Sequence, residues 1–137
     1  DGSLLSFFKK NGAKTIGIEP TGAAVEAKEK GHCVVEDFFC KETAEKILKE
    51  HAAPDIITFT NVFAHIENLN DLLSAVKTLM QKPGAILVIE NHYLGAILEN
   101  KQFDTFYHEH PRTYSVNSFL HITPALSVLA VALHPAV

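Results

Sequence analysis

An open, mostly parallel α/β sheet with helices on both faces is the fold class that this sequence predicts, on three observations. Short apolar segments rich in β-branched residues alternate with segments of helical periodicity, at the spacing of βαβ units. Those segments (KTIGIE, HCVVED, DIITFTN and AILVIEN) are nearly continuous apolar runs, the pattern of strands covered on both faces. Finally, 137 residues with 47% hydrophobic and 20% charged side chains make one domain's worth of globular chain.

The elements follow in order. In DGSLLSFFKKN, Leu4, Leu5, Phe7 and Phe8 recur at helical spacing; Asp1 or Ser3 can cap the start, and Asn11-Gly12 can stop the helix. AKTIGIEP reads as a short buried strand ending at Glu19. Pro20 terminates it, and Thr21 is placed to cap a helix over 22–30 that stops at Gly31. HCVVED is a second strand, and KETAEKILKEHAA a helix with Ala44, Ile47 and Leu48 as its buried stripe, ended by Pro54. DIITFTN is a third strand. A helix over 69–80 places Leu69, Leu72, Leu73, Val76 and Leu79 at turn spacing. The Lys82-Pro83-Gly84 turn leads into AILVIEN, the clearest strand, and LGAILENK is helical. QFDTFYHEHPRTYS is polar and aromatic. The tail is apolar from Ala125 to Leu133, and periodicity leaves strand and helix both open there.

Composition excludes several functions. Twelve basic against sixteen acidic residues give a net charge of -4, with no cationic excess to neutralise a nucleic-acid backbone. Cys33 and Cys40 cannot supply a disulfide framework or a four-sulfur zinc site. No run of eighteen apolar residues spans a membrane. The expectation is a small cytoplasmic unit with neither a nucleic-acid nor a membrane partner.

In an open α/β sheet ligands sit beyond the carboxyl ends of the strands, which singles out four segments. Glu19 ends its strand, where a carboxylate can accept both hydroxyls of a ribose or simply be solvated before a turn. Asp1-Gly2 precedes a helix, but a lone DG is also an ordinary turn. Asn61 to His65 follow the third strand, as crevice residues or as a solvated pair. The densest segment is Tyr107-His108-Glu109-His110, with Asp104 before it and Arg112 and Tyr114 after. Histidine changes charge near neutrality, a carboxylate can orient it, and a tyrosine hydroxyl can donate to a developing oxyanion. An extended chain sends His108 and His110 to opposite sides, and no HxxxH pair shares a helical face, so no metal is expected.

Several of these segments together resemble one family. DGSLL resembles the end of the first motif of class I S-adenosylmethionine-dependent methyltransferases, GIEP the acidic second motif, NVFAHI the segment after the fourth strand, and LMQKPGAILVIEN the following turn and strand. QFDTFYHEHPRTYS is more specific: it resembles the signature of the C-methyltransferases that act at C-3 of deoxysugars carried on thymidine diphosphate. The resemblance implies a Rossmann-like fold, S-adenosyl-L-methionine as cofactor and a nucleotide sugar as small-molecule substrate. It places Asp1 and Gly2 near the methionine end of the cofactor, Glu19 on the ribose with Pro20 in the adjacent turn, and Glu36, Asp37 and Phe38 at the adenine edge. Asn61 and His65 fall beneath the sulfonium centre. His110 becomes the general base, with Tyr107 and Glu109 beside it, and Tyr93 with His92 facing the sugar. Whether Tyr107, Tyr93 or His92 contacts the enolate oxygen stays open.

The same comparison implies a domain truncated at both ends. An amino-terminal zinc domain, the first strand, most of the glycine-rich loop and a carboxy-terminal half all lie outside these residues. Residues 1–122 then form a partial S-adenosylmethionine-binding domain and 123–137 an apolar tail, with an uncovered sheet edge that favours self-association. Three functions follow: C-methyl transfer to a keto-deoxysugar or small keto compound, O- or N-methyl transfer, or an inactive nucleoside-binding or protein-interaction domain.

Overall fold

The computed structural model of the chain describes residues 1–106, 108–124, 126, 127 and 130–132. Strand and helix alternate through it, as the pattern predicts: α1 (Ser3–Lys10), β1 (Ile16–Ile18), α2 (Ala23–Glu29), β2 (Cys33–Val35), α3 (Lys41–Glu50), β3 (Ile56–Thr60), α4 (Leu69–Leu79), β4 (Ile86–Glu90), α5 (Leu94–Glu99) and α6 (Val116–Ile122). Single 3-10 turns cover Phe63–His65 and Phe103–Thr105. Both strand pairings are parallel: β1 lies against β2, and β3 against β4, each across one helical crossover. The strands form two small parallel sheets flanked by helices, an alternating α/β arrangement consistent with the Rossmann-like fold class that the sequence predicts.

The chain divides into two compact units. The first comprises residues 1–52 and 74–79. Its buried set is small-residue rich: Ala24, Ala27, Thr43, Ala44, Ile47, Ala75, Val76 and Leu79. Small side chains bring α1 close to α2. An added Cβ at Gly2, whose φ is +74°, would lie 3.0 Å from both Ala27 Cβ and His32 Cδ2. Only glycine accepts that backbone and that approach cheaply. The predicted caps form in altered detail. The Asp1 carboxylate accepts from Ser3 N and Ser3 Oγ, both at 2.9 Å, and Gly12 N donates to Lys9 O where α1 stops. In α3 the buried stripe is Thr43, Ala44 and Ile47; Leu48 is half-buried, and the helix ends at Glu50 with His51 already extended. Thr43 is tolerated inside because its hydroxyl donates to Phe38 O at 2.9 Å.

The second unit comprises residues 53–73 and those from 80 onward. Phe63, fully buried, is its centre, with ring edges meeting Phe59, Tyr114 and Phe119 at centroid distances of 5.7, 5.3 and 5.5 Å. Ile57, Ala64, Leu72 and Ile97 complete that core. Helix α6 starts from a capping box: Ser115 Oγ accepts from Ser118 N, and Ser118 Oγ from Ser115 N. Neither α6 nor the Phe63–His65 turn is predicted by the sequence pattern. The predicted apolar tail lies partly outside the described residues, and among those described no helix is long and apolar enough to cross a membrane.

Candidate active site

In the first unit the strand-end carboxylate is held in place. Glu19 follows β1 directly, and its N–H donates to Val35 O, continuing the sheet ladder. Glu19 Oε1 accepts from Thr21 Oγ1 at 2.6 Å and from Thr21 N at 2.9 Å. The Thr21 hydroxyl is the main cause of a carboxyl pKa below the usual range, so Glu19 is a fixed anion. A fixed acceptor at a strand end suits vicinal hydroxyl donors, so this donor set fits the ribose of a nucleoside cofactor.

Beyond β2, Glu36 pairs with Lys28, and Asp37 accepts from Phe38 N within its own turn. Phe38 leaves 72% of its surface exposed, an open aromatic face. Pro20 is exposed beside Glu19. Behind Gly2 runs a hydrogen-bond chain with a fixed direction. A carbonyl only accepts, so Ser6 Oγ donates to Gly2 O and must accept from His32 Nε2, at 2.9 Å. His32 Nδ1 then accepts from Thr15 Oγ1 at 3.2 Å. A buried histidine thus ties α1 to the start of β1.

The second unit holds a cavity of about 310 Å³. Asn61 and His65 enter it from the end of β3, Asn91 and His92 from the end of β4, and Asp104, His110 and Arg112 from the segment after α5. Asn61 makes the turn off β3 with φ at +51°, a conformation asparagine tolerates better than most residues. The ring of His110 meets that of His65 at 4.5 Å and that of His92 at 5.8 Å between centroids. His110 Nδ1 lies 3.1 Å from Thr105 O, so this nitrogen carries a proton, and in the neutral ring Nε2 is the acceptor. Among the described residues the three rings do not bring three ligand atoms within 4.8 Å of one another.

The cavity thus gathers Asn61, His65, His92, Asp104, His110 and Arg112 of the residues singled out above, and not the others. Glu109 is exposed, its carboxylate 3.9 Å from the still more exposed His108. Tyr93 is the N-cap of α5, with its ring folded over Gly95, where an added Cβ would lie 2.5 Å from Cε1. Tyr107 lies outside the described residues. Asn91, Thr105 and Thr113 also line the cavity, unmarked by the sequence reading. Asn91 carried a signal, since it follows the clearest strand directly. Two buried polar atoms have no partner among the described residues: Asn91 Nδ2 and the hydroxyl of Tyr114.

Parallel βαβ pairs flanked by helices define an α/β protein whose fixed strand-end carboxylate is compatible with a nucleoside cofactor, and the comparisons narrow the class. Residues 1–123 match the family model described as a methyltransferase domain, and the chain belongs to that family; its cofactor is S-adenosylmethionine. It is similar to the C-methyltransferase NovU of Streptomyces niveus, with 29% identity over 136 residues, 98% of this chain and 32% of NovU. The chain spans about a third of the length of that curated relative.

Proposed function

We propose that this domain carries out C-methyl transfer to a nucleotide-linked keto-deoxysugar or a closely related keto compound, with His110 as the general base. The observation that carries the reading is the tautomer of His110: Thr105 O takes the Nδ1 proton, and the basic Nε2 belongs to a ring set among His65 and His92 in one cavity. The likeness to a C-methyltransferase supports carbon as the acceptor.

S-adenosylmethionine, when bound, supplies a methyl group already activated by its sulfonium. What the protein must add is a carbon nucleophile and alignment. His110 Nε2 removes a proton from the carbon next to a ketone, the C–H pair becomes the enolate double bond, and the carbonyl pair moves onto oxygen. His92 stands in the same cavity as a donor for that oxygen, with Tyr93 and Tyr107 as the further donors of this reading. Glu109 takes part from the surface side of the same segment. On the cofactor side, Glu19 holds the ribose, with Pro20 shaping its turn. Asp1 and Gly2 serve the methionine end, and Glu36, Asp37 and Phe38 serve the adenine, the open ring of Phe38 offering a stacking face. Asn61 and His65 complete the approach to the methyl group. In this reading residues 1–122 constitute the partial methyltransferase domain, and 123–137 an apolar tail.

Calorimetry and proton exchange test the reading. The chain should bind S-adenosylmethionine and S-adenosylhomocysteine, and His110→Ala should retain that affinity. The same change should slow exchange of the α-proton of a thymidine diphosphate 4-keto-6-deoxyhexose in D2O by about 10²- to 10⁴-fold. A chain that binds neither cofactor form, or that exchanges the proton equally well without His110, is not this enzyme.

A further inference from the structure

Twelve side chains in this sequence carry a permanent positive charge, and eleven of them are lysines. The one arginine, Arg112, lines the histidine cavity, and no lysine does. It is half-buried. Its Nη1 donates to Ile66 O at 3.0 Å, which pins one arm of the guanidinium to the segment after β3. Among the described residues no carboxylate lies within 4.0 Å of it, and Asp104, which lines the same cavity, forms no ion pair with it. Beside it stands the buried Tyr114, whose raised pKa Arg112 opposes, although its hydroxyl makes no hydrogen bond of ordinary geometry.

A cation that is partly desolvated and lacks a counter-charge is costly, and proteins rarely keep one without a partner. Arginine also differs from the eleven lysines in kind. Its planar fork presents paired N–H groups that match two oxygens of one phosphate or carboxylate. A tethered arginine without a carboxylate counter-charge inside a cavity is therefore a receptor for an oxyanion on the ligand.

We infer that Arg112 is the specificity residue of this cavity, binding the sugar-proximal phosphate of a nucleotide diphosphate while His110 works on the sugar; this rests on the function proposed above. Size favours the phosphate. About 310 Å³ is at the small end for ligand sites and suits a hexose with its first phosphate, the nucleoside remaining outside. A carboxylate on a free keto acid would satisfy the same fork, and the test separates the two.

Binding of thymidine diphosphate, of the thymidine diphosphate 4-keto-6-deoxyhexose and of 2-oxobutyrate is measured on the full chain, on Arg112→Gln and on Arg112→Lys. Loss of a charge-assisted bidentate contact corresponds to about 10- to 100-fold in affinity. Arg112→Gln should weaken thymidine diphosphate by that factor and raise KM for the keto-sugar nucleotide more than it lowers kcat. Arg112→Lys keeps the charge without the fork and should recover part of the loss. S-adenosylmethionine affinity should stay within about twofold in both, a split that mere unfolding does not produce. The inference is overturned if Arg112→Gln binds thymidine diphosphate as the unaltered chain does, or if 2-oxobutyrate binds through Arg112 and thymidine diphosphate does not. Where the Arg112 variants behave like the parent but His110→Ala still abolishes exchange, only the role of Arg112 fails. Where the parent chain neither exchanges the proton nor binds the nucleotide, both readings fail.

Discussion

Two titrations follow from single side chains. The Thr21 hydroxyl lowers the pKa of Glu19, so the carboxylate persists below 4.5, the value of an unperturbed group. A depressed folded pKa contributes stability above the unfolded value, and that contribution is lost as pH falls through the folded one. Thr21→Val should move the midpoint of Glu19, followed by its side-chain carboxyl carbon signal, up toward 4.5; an unchanged midpoint would refute the causal role of the hydroxyl. Tyr114 runs the other way. Burial raises its pKa above 10, with Arg112 opposing weakly, so its share of stability is intact below pH 10 and lost as pH climbs through the raised value. Its hydroxyl is also an orphan, which costs about 1–3 kcal/mol. Tyr114→Phe should therefore raise the urea midpoint at pH 8, with a gain of about 1 kcal/mol, and flatten its decline at alkaline pH. No gain at pH 8 would mean that the hydroxyl is satisfied in solution. Such facts were illegible in the sequence, because a tyrosine in YS reads alike whether its hydroxyl is paired or stranded.

At the scale of elements, the strands were legible and the caps only partly so. KTIGIE, HCVVED, DIITFTN and AILVIEN each contain an observed strand, since apolar β-branched runs have few other uses in a parallel fold. Helix α6 was missed because VNSFLHI is too short for periodicity to show, and its start depends on a serine pair rather than the usual Ser-x-x-Glu. That cap supports more than seven residues, since Phe119 on α6 stacks on Tyr114 at 4.9 Å and edges Phe63. Ser115→Ala should cost about 1 kcal/mol in chemical denaturation, and Ser118→Ala less, because only the first removes the acceptor for a helix N–H. Equal costs would argue that the two hydroxyls act only on each other. Glycine at position 2 looked like an ordinary turn for a related reason: nothing local announces that Ala27 and His32 sit against it. Gly2→Ala should destabilise the first unit by about 1–2 kcal/mol through its positive φ alone.

Over the whole molecule, alternation predicted the parallel connections and could not predict how many sheets they make. Apolar runs mark which segments pair, but pairing partners depend on which crossovers close, and here each closes on its own neighbour. The candidate site divides along the same lines. Asp1, Gly2, Glu19, Glu36, Asp37 and Phe38 belong to the first unit, and the histidine cavity belongs wholly to the second. That division has a measurable consequence if the two ligand roles are assigned correctly. Hydrogen exchange read by mass spectrometry should slow around 17–21 and 33–38 when S-adenosylmethionine is added, because ligand binding raises the free energy of local opening where the ligand makes its contacts. Thymidine diphosphate 4-keto-6-deoxyhexose should instead slow exchange around 91–94 and 103–114, while 61–65, assigned to the methyl group, should respond to either ligand. At a ligand concentration 100 times Kd the added protection is about 2.7 kcal/mol, close to a hundredfold in rate and far above detection. Protection of the histidine cavity by the cofactor alone, with the segment around Glu19 unaffected, would reverse the assignment of the two units.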